Sequence, residues 1–151
     1  MSSVTDVSGL GGNQKFSKYD LTKVFIGNNR YSSDNAVNNS SYNDLTLPVG
    51  QVMGRTTAGA LVPWDATANN GAQYPVGILA QEVILDAAET KDSVTICHDG
   101  DVNENAITVN WHTYQGQSLD TIVASRSCRD WLKAQGINIV PSKEMTSYDN
   151  V

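Results

Sequence analysis

The sequence predicts a small, mainly β domain of barrel-like architecture, with an extended N-terminal arm and one short helical segment near the C-terminus. Three observations lead to this fold class. Short apolar runs are punctuated by glycine and proline, the N-terminus is rich in Asn, Ser and Gly, and residues 118–135 show a helical period. At 151 residues the chain is long enough for one domain with a real core.

The densest strand signals lie between Leu47 and Ile78, in the stretch LPVGQVMGRTTAGALVPWDATANNGAQYPVGI. Short apolar runs separated by turn residues at this spacing are typical of a small all-β barrel or sandwich. Because proline has no N–H to give to a ladder, we expect Pro63 to place its strand at a sheet edge. The predicted strands of this stretch are Val49–Arg55, Leu61–Pro63 and Tyr74–Ala80, with a turn at Thr57–Ala60.

Further strand signals follow this stretch. Residues 93–98 alternate, which predicts that Val94, Ile96 and His98 face one way and Thr95 and Cys97 the other. Asp99-Gly100-Asp101 predicts a turn or a bulge. We also expect strand spacing over Val83 and Leu85, a shared face for Ile107, Val109 and Trp111, and a final strand over Ile137–Val140.

Residues 118–135 change to a helical period. Ser118 is the predicted N-cap, with Lys133 in the last turn and Gly136 as the stop signal. A break into two short helices at Ser125–Ser127 remains possible. The helix is predicted to pack an apolar stripe on the β region, consisting of Leu119, Ile122, Trp131 and Leu132.

Residues 1–46 differ in composition from the rest, since seven Asn, eight Ser and four Gly occupy nineteen positions. Such residues resist regular structure, so we expect residues 1–46 to form a flexible arm and residues 47–151 the β-rich domain. Ser32–Asn43 is interpreted as a flexible polar link. One apolar island interrupts the arm, and it either binds a partner or packs on its own domain: Phe16, Tyr19, Leu21, Val24, Phe25 and Ile26.

Charge and composition exclude several classes of partner. The net charge is −6, and nine of the 16 acidic residues lie between residues 47 and 120, so we expect no direct binding to nucleic acid. No apolar stretch approaches the roughly 18 residues of a membrane helix, and no secretory signal is evident. We therefore expect no membrane partner and synthesis in a reducing cytoplasm, with Cys97 and Cys128 as buried free thiols.

The sequence offers weak candidates for a metal or catalytic site. The soft ligands Cys97, His98, His112 and Cys128 lack the paired spacing of a zinc site. Adjacent strand residues project to opposite faces, so Cys97, His98 and Asp99 are not expected to form a nucleophile–base pair. Asp99, Asp101 and Glu104 lack the ligand pattern of an EF-hand. We expect no catalytic residues, no metal and no cofactor, and the chain is not predicted to be an enzyme.

Aromatic residues suggest two binding interpretations. Trp64 lies between Pro63 and Asp65, and Pro63 and Trp64 are candidates for a subunit or partner contact near the surface. A row of exposed aromatic side chains would instead favour a carbohydrate- or surface-binding β module displayed on a virion. Trp64, Tyr74 and Tyr114 are the residues available for such a row.

In their order, four stretches resemble the phage head decoration protein family of the lambda type: LPVGQVMGRTTAGALVPWD, YPVGILAQEV, VTICHDGDVNENAI and WLKAQGINIV. The resemblance spans roughly residues 47–140. It implies a β-tulip fold and a homotrimer that binds the outer surface of an expanded capsid through the major capsid protein. It also implies a cement role that stabilises the capsid against internal DNA pressure, and an N-terminal arm that becomes ordered on the shell.

Overall fold

The computed structural model describes residues 24–40, 42–111 and 116–141. Strands dominate these residues, together with a single-turn 3-10 helix at Glu104–Ala106 and one α-helix. The elements are β1 (Phe25–Val37), β2 (Leu45–Leu47), β3 (Val52–Arg55), β4 (Leu61–Pro63), β5 (Pro75–Leu79), β6 (Val83–Leu85), β7 (Thr90–Asn103), β8 (Ile122–Val123), β9 (Arg126–Ser127), α1 (Cys128–Gln135) and β10 (Ile137–Val140).

Five strands close into a barrel in the order β1-β4-β3-β5-β7, because β1 also pairs with β7. The β1–β7 pairing is antiparallel and the longest in the sheet, and β10 adds to the other side of β7 in parallel. Closure gives the short strands β3, β4 and β5 a neighbour on both sides, which limits exposed edges. The predicted mainly β, barrel-like fold with one short helix near the C-terminus is confirmed.

β1 shows that the predicted flexible link over Ser32–Asn43 is wrong. The strand runs to Val37 and pairs with β7 along nearly its whole length, and β2 follows at Leu45. Residues 24–40 and 42–46, which the sequence analysis assigned to the arm, are therefore part of the barrel domain. Residues 1–23 lie outside the described residues.

The Asn and Ser residues of this segment stabilise local structure instead of preventing it. Asn29 accepts a hydrogen bond from Gly27 N at 3.0 Å and donates to Asp101 O at 2.9 Å, at a register shift between β1 and β7. Buried Asn38 donates to Asn43 O at 2.7 Å and accepts from Ser40 N at 3.0 Å. Side-chain amides that bond to the backbone fix bulges and turns, which composition alone does not distinguish from disorder.

The core consists of two clusters on opposite faces of the sheet. The first cluster contains Val52, Ile78 and Cys97, which are register partners on neighbouring strands. Apolar neighbours of these residues along the chain belong to the second cluster. Since side chains alternate along a strand, the two clusters must lie on opposite faces. α1 and the β8–β9 hairpin pack on the first cluster, and the β2–β6 ribbon packs on the second.

The helix is shorter than predicted. α1 begins at Cys128, and its N-cap is Ser127, whose Oγ accepts from Asp130 N at 3.1 Å. Ser118 is not the cap, because residues 122–127 form a β-hairpin whose turn residues Ala124 and Ser125 have φ of 49° and 70°. Lys133 in the last turn is confirmed.

Gly136 is confirmed as the C-cap of α1, with φ 108° in the left-handed region. Buried Leu119 and Leu132 join the first cluster as predicted. Ile122 does not, since the hairpin leaves it 63% exposed.

Two local predictions on the β region need correction. β4 is not an edge strand, because it lies between β1 and β3. β1 pairs with β4 at Leu61, two residues before Pro63, so the missing N–H of Pro63 does not interrupt that ladder.

The predicted shared face of Ile107, Val109 and Trp111 is also wrong. Ile107 and Val109 pack on the first cluster and Trp111 on the second. In β7, the stretch Asp99–Asp101 continues the strand opposite a bulge whose extra residue lies in β1 between Gly27 and Arg30. His98 is exposed, whereas Val94 and Ile96 are buried. No helix among the described residues is long and apolar enough to cross a membrane.

The two cysteines are buried free thiols, as predicted. Burial raises the pKa of the Cys128 thiol to about 12, against a smaller opposing effect of Arg129. We expect Cys97 and Cys128 to react with Ellman's reagent at pH 8 only when denaturant is added, because the reactive species is an accessible thiolate. Absorbance at constant reagent concentration measures this, and rapid reaction of both thiols in native buffer would contradict the burial.

The raised pKa of Cys128 also makes stability depend on pH. In the unfolded chain this thiol ionises near pH 8.5, so the Cys128 thiol lowers the free energy of unfolding as the pH rises from about 8.5 towards 12.

Candidate functional site

The described chain begins at a defined place on the barrel. Val24 O accepts a hydrogen bond from Asn103 N at 2.8 Å, and Phe25 is the register partner of Val102. On the other side of β7, Ile139 is paired with the same Val102. Val24, the first described residue, therefore lies one strand spacing from the end of β7 and two from β10.

Three of the six predicted arm residues are described. Val24 and Phe25 are half-buried against the first cluster, and Ile26 is half-buried in β1. At Phe25 and Ile26, one edge of β1 is already paired with β7, so a strand of a partner protein could not pair with β1 along that edge. Within the described residues, the other edge of β1 pairs with β4 only at Ala36. Phe16, Tyr19 and Leu21 lie outside the described residues.

The loop before β3 closes around this exit point. Gly50 N donates to Leu79 O at 2.9 Å, and Gly50 O accepts from Thr108 N at 3.0 Å. A Cβ built on Gly50 would lie 2.5 Å from Ala106 O and 3.3 Å from Val24 Cγ2, and φ is +99°. Glycine is therefore required here by both space and conformation. The neighbouring Val49 stays 39% exposed.

A second surface carries aromatic and cationic side chains. The ring of Tyr74 meets that of Trp131 edge-on at 5.1 Å, and the guanidinium of Arg126 lies 5.0 Å from the Trp131 centroid. Trp131 Nε1 donates to Val123 O at 2.8 Å, so the half-buried indole joins α1 to the hairpin. Tyr, Trp and Arg are enriched in the centres of protein interfaces. Sequence analysis missed Arg126, since the hairpin turn that positions it contains no glycine.

The placement of Trp64 near the surface is wrong. Its side chain is 0% exposed, and Nε1 donates to Gln73 O at 2.8 Å. Pro63 is also buried, so neither side chain is presented for a contact with another protein. Of the residues proposed for a carbohydrate-binding row, Trp64 is internal and Tyr74 meets Trp131 edge-on, so these two do not form a row of exposed aromatics. Tyr114 lies outside the described residues.

Pro63 and Trp111 line one small pocket with Val37, Leu45 and Val62. Its volume of about 150 Å³ is below the range typical of small-molecule sites, which begins at about 300 Å³. The pocket therefore offers no argument for a ligand-binding function.

The acidic residues of β7 and the 3-10 turn have partners from other elements. Arg129 contacts Glu104 at 3.2 Å and Asp120 at 3.4 Å, and this pairing raises the pKa of Arg129. Asn138 donates to Asp101 Oδ1 at 3.3 Å. Across the part of the chain that the structure describes, no group of three or more His, Cys, Asp or Glu could hold a metal ion. His112 lies outside that part.

The Cys97-His98-Asp99 stretch has no catalytic geometry. Cys97 is buried and its thiol donates to Asp99 O at 3.1 Å, whereas His98 is exposed at a register shift of β7. Elsewhere in the barrel, Arg55 forms an ion pair with Asp34 and lowers the pKa of that carboxyl. This pair joins β1 to β3 beside their contacts with β4.

A family model described as bacteriophage lambda head decoration protein D matches residues 20–127. The chain belongs to this family. The predicted resemblance is therefore confirmed, and the match includes all of β1 but ends before α1 and β10. No curated protein matches the chain.

Membership defines the general role of this head decoration protein. The family decorates phage capsids, so the protein belongs to the virion and binds the capsid. The family is structural and not enzymatic.

Proposed function

We propose that this head decoration protein binds the outer surface of an expanded phage capsid as a homotrimer. Its partner would be the major capsid protein, after synthesis in the host cytoplasm. The family match over residues 20–127 is the observation that carries the proposal. The closed barrel supports it, because a rigid body can bridge neighbouring capsid subunits without deforming.

Stabilisation of the capsid would follow from mass action. A protein that binds only the expanded, assembled shell raises the free energy needed to separate its subunits, which resists internal DNA pressure. Three copies around a local three-fold position would multiply the contact area. The net charge of −6 would also keep decorated particles apart in solution.

The N-terminal segment would supply the principal contact with the shell. Its apolar side chains are those named above: Phe16, Tyr19, Leu21, Val24, Phe25 and Ile26. The described end of this set supports the proposal, since Val24, Phe25 and Ile26 are only half-buried by their own chain. The open edge of β1 would allow a strand of the capsid protein to pair with this region.

Sedimentation with DNA-free shells tests the proposal. We expect the purified protein to co-sediment with expanded shells and to bind unexpanded shells weakly, because the site must be created by expansion. Decorated shells should then resist heating or chaotropic salt better than bare shells. If trimers form before binding, light scattering of the free protein should give three times the 16.3 kDa mass of one chain.

The outcomes separate the parts of the proposal. Failure to bind any expanded shell of the cognate phage would contradict capsid decoration by this chain. Binding without a gain in shell stability would contradict the cement role alone. Bound protein arranged as isolated single copies would contradict the homotrimer.

A further inference from the structure

Two loops adjoin the first described residue of the chain, and we name the partly apolar group that they form with it the exit collar: Val24, Pro48, Val49, Asn105 and Ala106. Contacts through Gly50 hold it together, because this glycine packs directly against Ala106 and Val24. A parallel bridge between Gln51 and Thr108 joins the two loops next to the collar. Pro48, Val49 and Asn105 are exposed, so the collar presents one face to solvent.

The collar lies at one end of the long strand β1. Phe25 begins the strand next to the collar, whereas Ala36 pairs with Leu61 directly after the turn at Thr56–Ala60. Eleven residue steps of about 3.3 Å each separate Phe25 from Ala36, and the bulges of β1 shorten this length somewhat. The turn therefore lies roughly 30 Å from the collar. The ion pair between Arg55 and Asp34 fixes this turn at the far end.

We propose that the exit collar is a second contact with the capsid shell, made by the barrel itself beside the N-terminal segment. The inference rests on the proposed function. If Val24, Phe25 and Ile26 bind the shell, the shell surface must reach the end of the barrel where these residues are anchored. Val24 touches the loop that carries Val49, so this exposed aliphatic side chain would then be covered by the shell.

The chemistry of the collar favours a protein surface as its occupant. Its side chains are short and neutral, and Val49 is 39% exposed. The nearest charged residue of the 3-10 turn, Glu104, is paired with Arg129. A neutral, partly apolar surface next to an anchored chain is what the centre of a protein–protein interface requires.

A matched pair of aspartate substitutions tests the proposal. Val49→Asp places a charge on the collar, and Ala58→Asp places the same charge in the exposed turn at the far end, where Gly59 has open space around it. We expect Val49→Asp to weaken binding to expanded shells about tenfold or more, because a buried unpaired carboxylate opposes association. Ala58→Asp should bind within about twofold of the parent chain.

Controls make each outcome decisive. Circular dichroism and light scattering would verify that both variants keep the fold and the mass of the parent, and Val49→Ala would report loss of the side chain without a new charge. Unchanged binding by the folded Val49→Asp variant would overturn the collar contact and leave capsid decoration standing. An equal loss in both variants would also overturn it. A parent chain that binds no expanded shell would contradict the proposed function and the collar together.

Discussion

Replacing Trp64 with alanine is expected to lower the free energy of unfolding by about 3–5 kcal/mol, the range for removing a fully buried aromatic side chain. Trp64 is the largest fully buried side chain among the described residues. It packs in the first cluster with Val52 and Ile78, at the end of β4. The substitution also leaves Gln73 O without its 2.8 Å donor, which adds to the cost of the cavity.

Chemical denaturation followed by circular dichroism measures this effect at a fixed chain concentration, since association would shift the apparent stability. Trp131→Ala is the matched control, because its indole is half-buried and its loss should cost about 1–2 kcal/mol. A cost below about 1 kcal/mol for Trp64→Ala would mean that the cluster collapses around the vacancy or that Trp64 is not a core residue.

The strands between β3 and β6 could be predicted because their signals are local. Turn residues such as Gly59 and strand residues such as Ile78 act within a few positions of each other. The fold class followed from the spacing of these signals. Closure of the barrel by β1 and β7 could not be predicted in the same way, since it depends on pairing between residues more than fifty positions apart.

Non-local contacts also explain the larger errors. β1 is polar, and its strand conformation comes from the ladder to β7 and not from its own propensity. The apolar period over residues 118–127 fits a helix, but left-handed turn residues at Ala124 and Ser125 produce a hairpin. Trp64 precedes a polar loop, yet its side chain is buried, and the Gln117 side chain, 53 positions away, donates to its backbone oxygen at 2.7 Å.

The site was predictable only in part. The apolar island was visible in the sequence, and Val24 and Phe25 are half-buried at the point where the N-terminal segment leaves the barrel. The exit collar was not visible, because the loop of Val49 and the loop of Ala106 come together at Gly50 only in the folded chain. The sequence predicted Val49 as the first residue of a strand, which gave no indication of its position beside Val24.

Deleting residues 2–23 is expected to abolish binding to expanded shells and to leave the barrel folded. The structure sets the boundary, since β1 begins at Phe25 and the hydrogen bond from Asn103 N to Val24 O is kept. A longer deletion through Arg30 would remove six residues of β1 and unpair part of β7, so loss of binding could then reflect unfolding.

The shorter deletion isolates the contribution of the N-terminal segment. The deletion removes Phe16, Tyr19 and Leu21, and it also removes three cations: Lys15, Lys18 and Lys23. These cations should attract an acidic shell, so binding of the parent chain should weaken as the salt concentration is raised. Co-sedimentation at several salt concentrations measures both effects, and a chain lacking residues 142–151 is the control for loss of a terminal segment. If the chain without residues 2–23 decorates expanded shells at unchanged occupancy, the N-terminal segment is not the principal contact. Binding would then have to come from the barrel, through the exit collar or through the surface of Tyr74, Arg126 and Trp131.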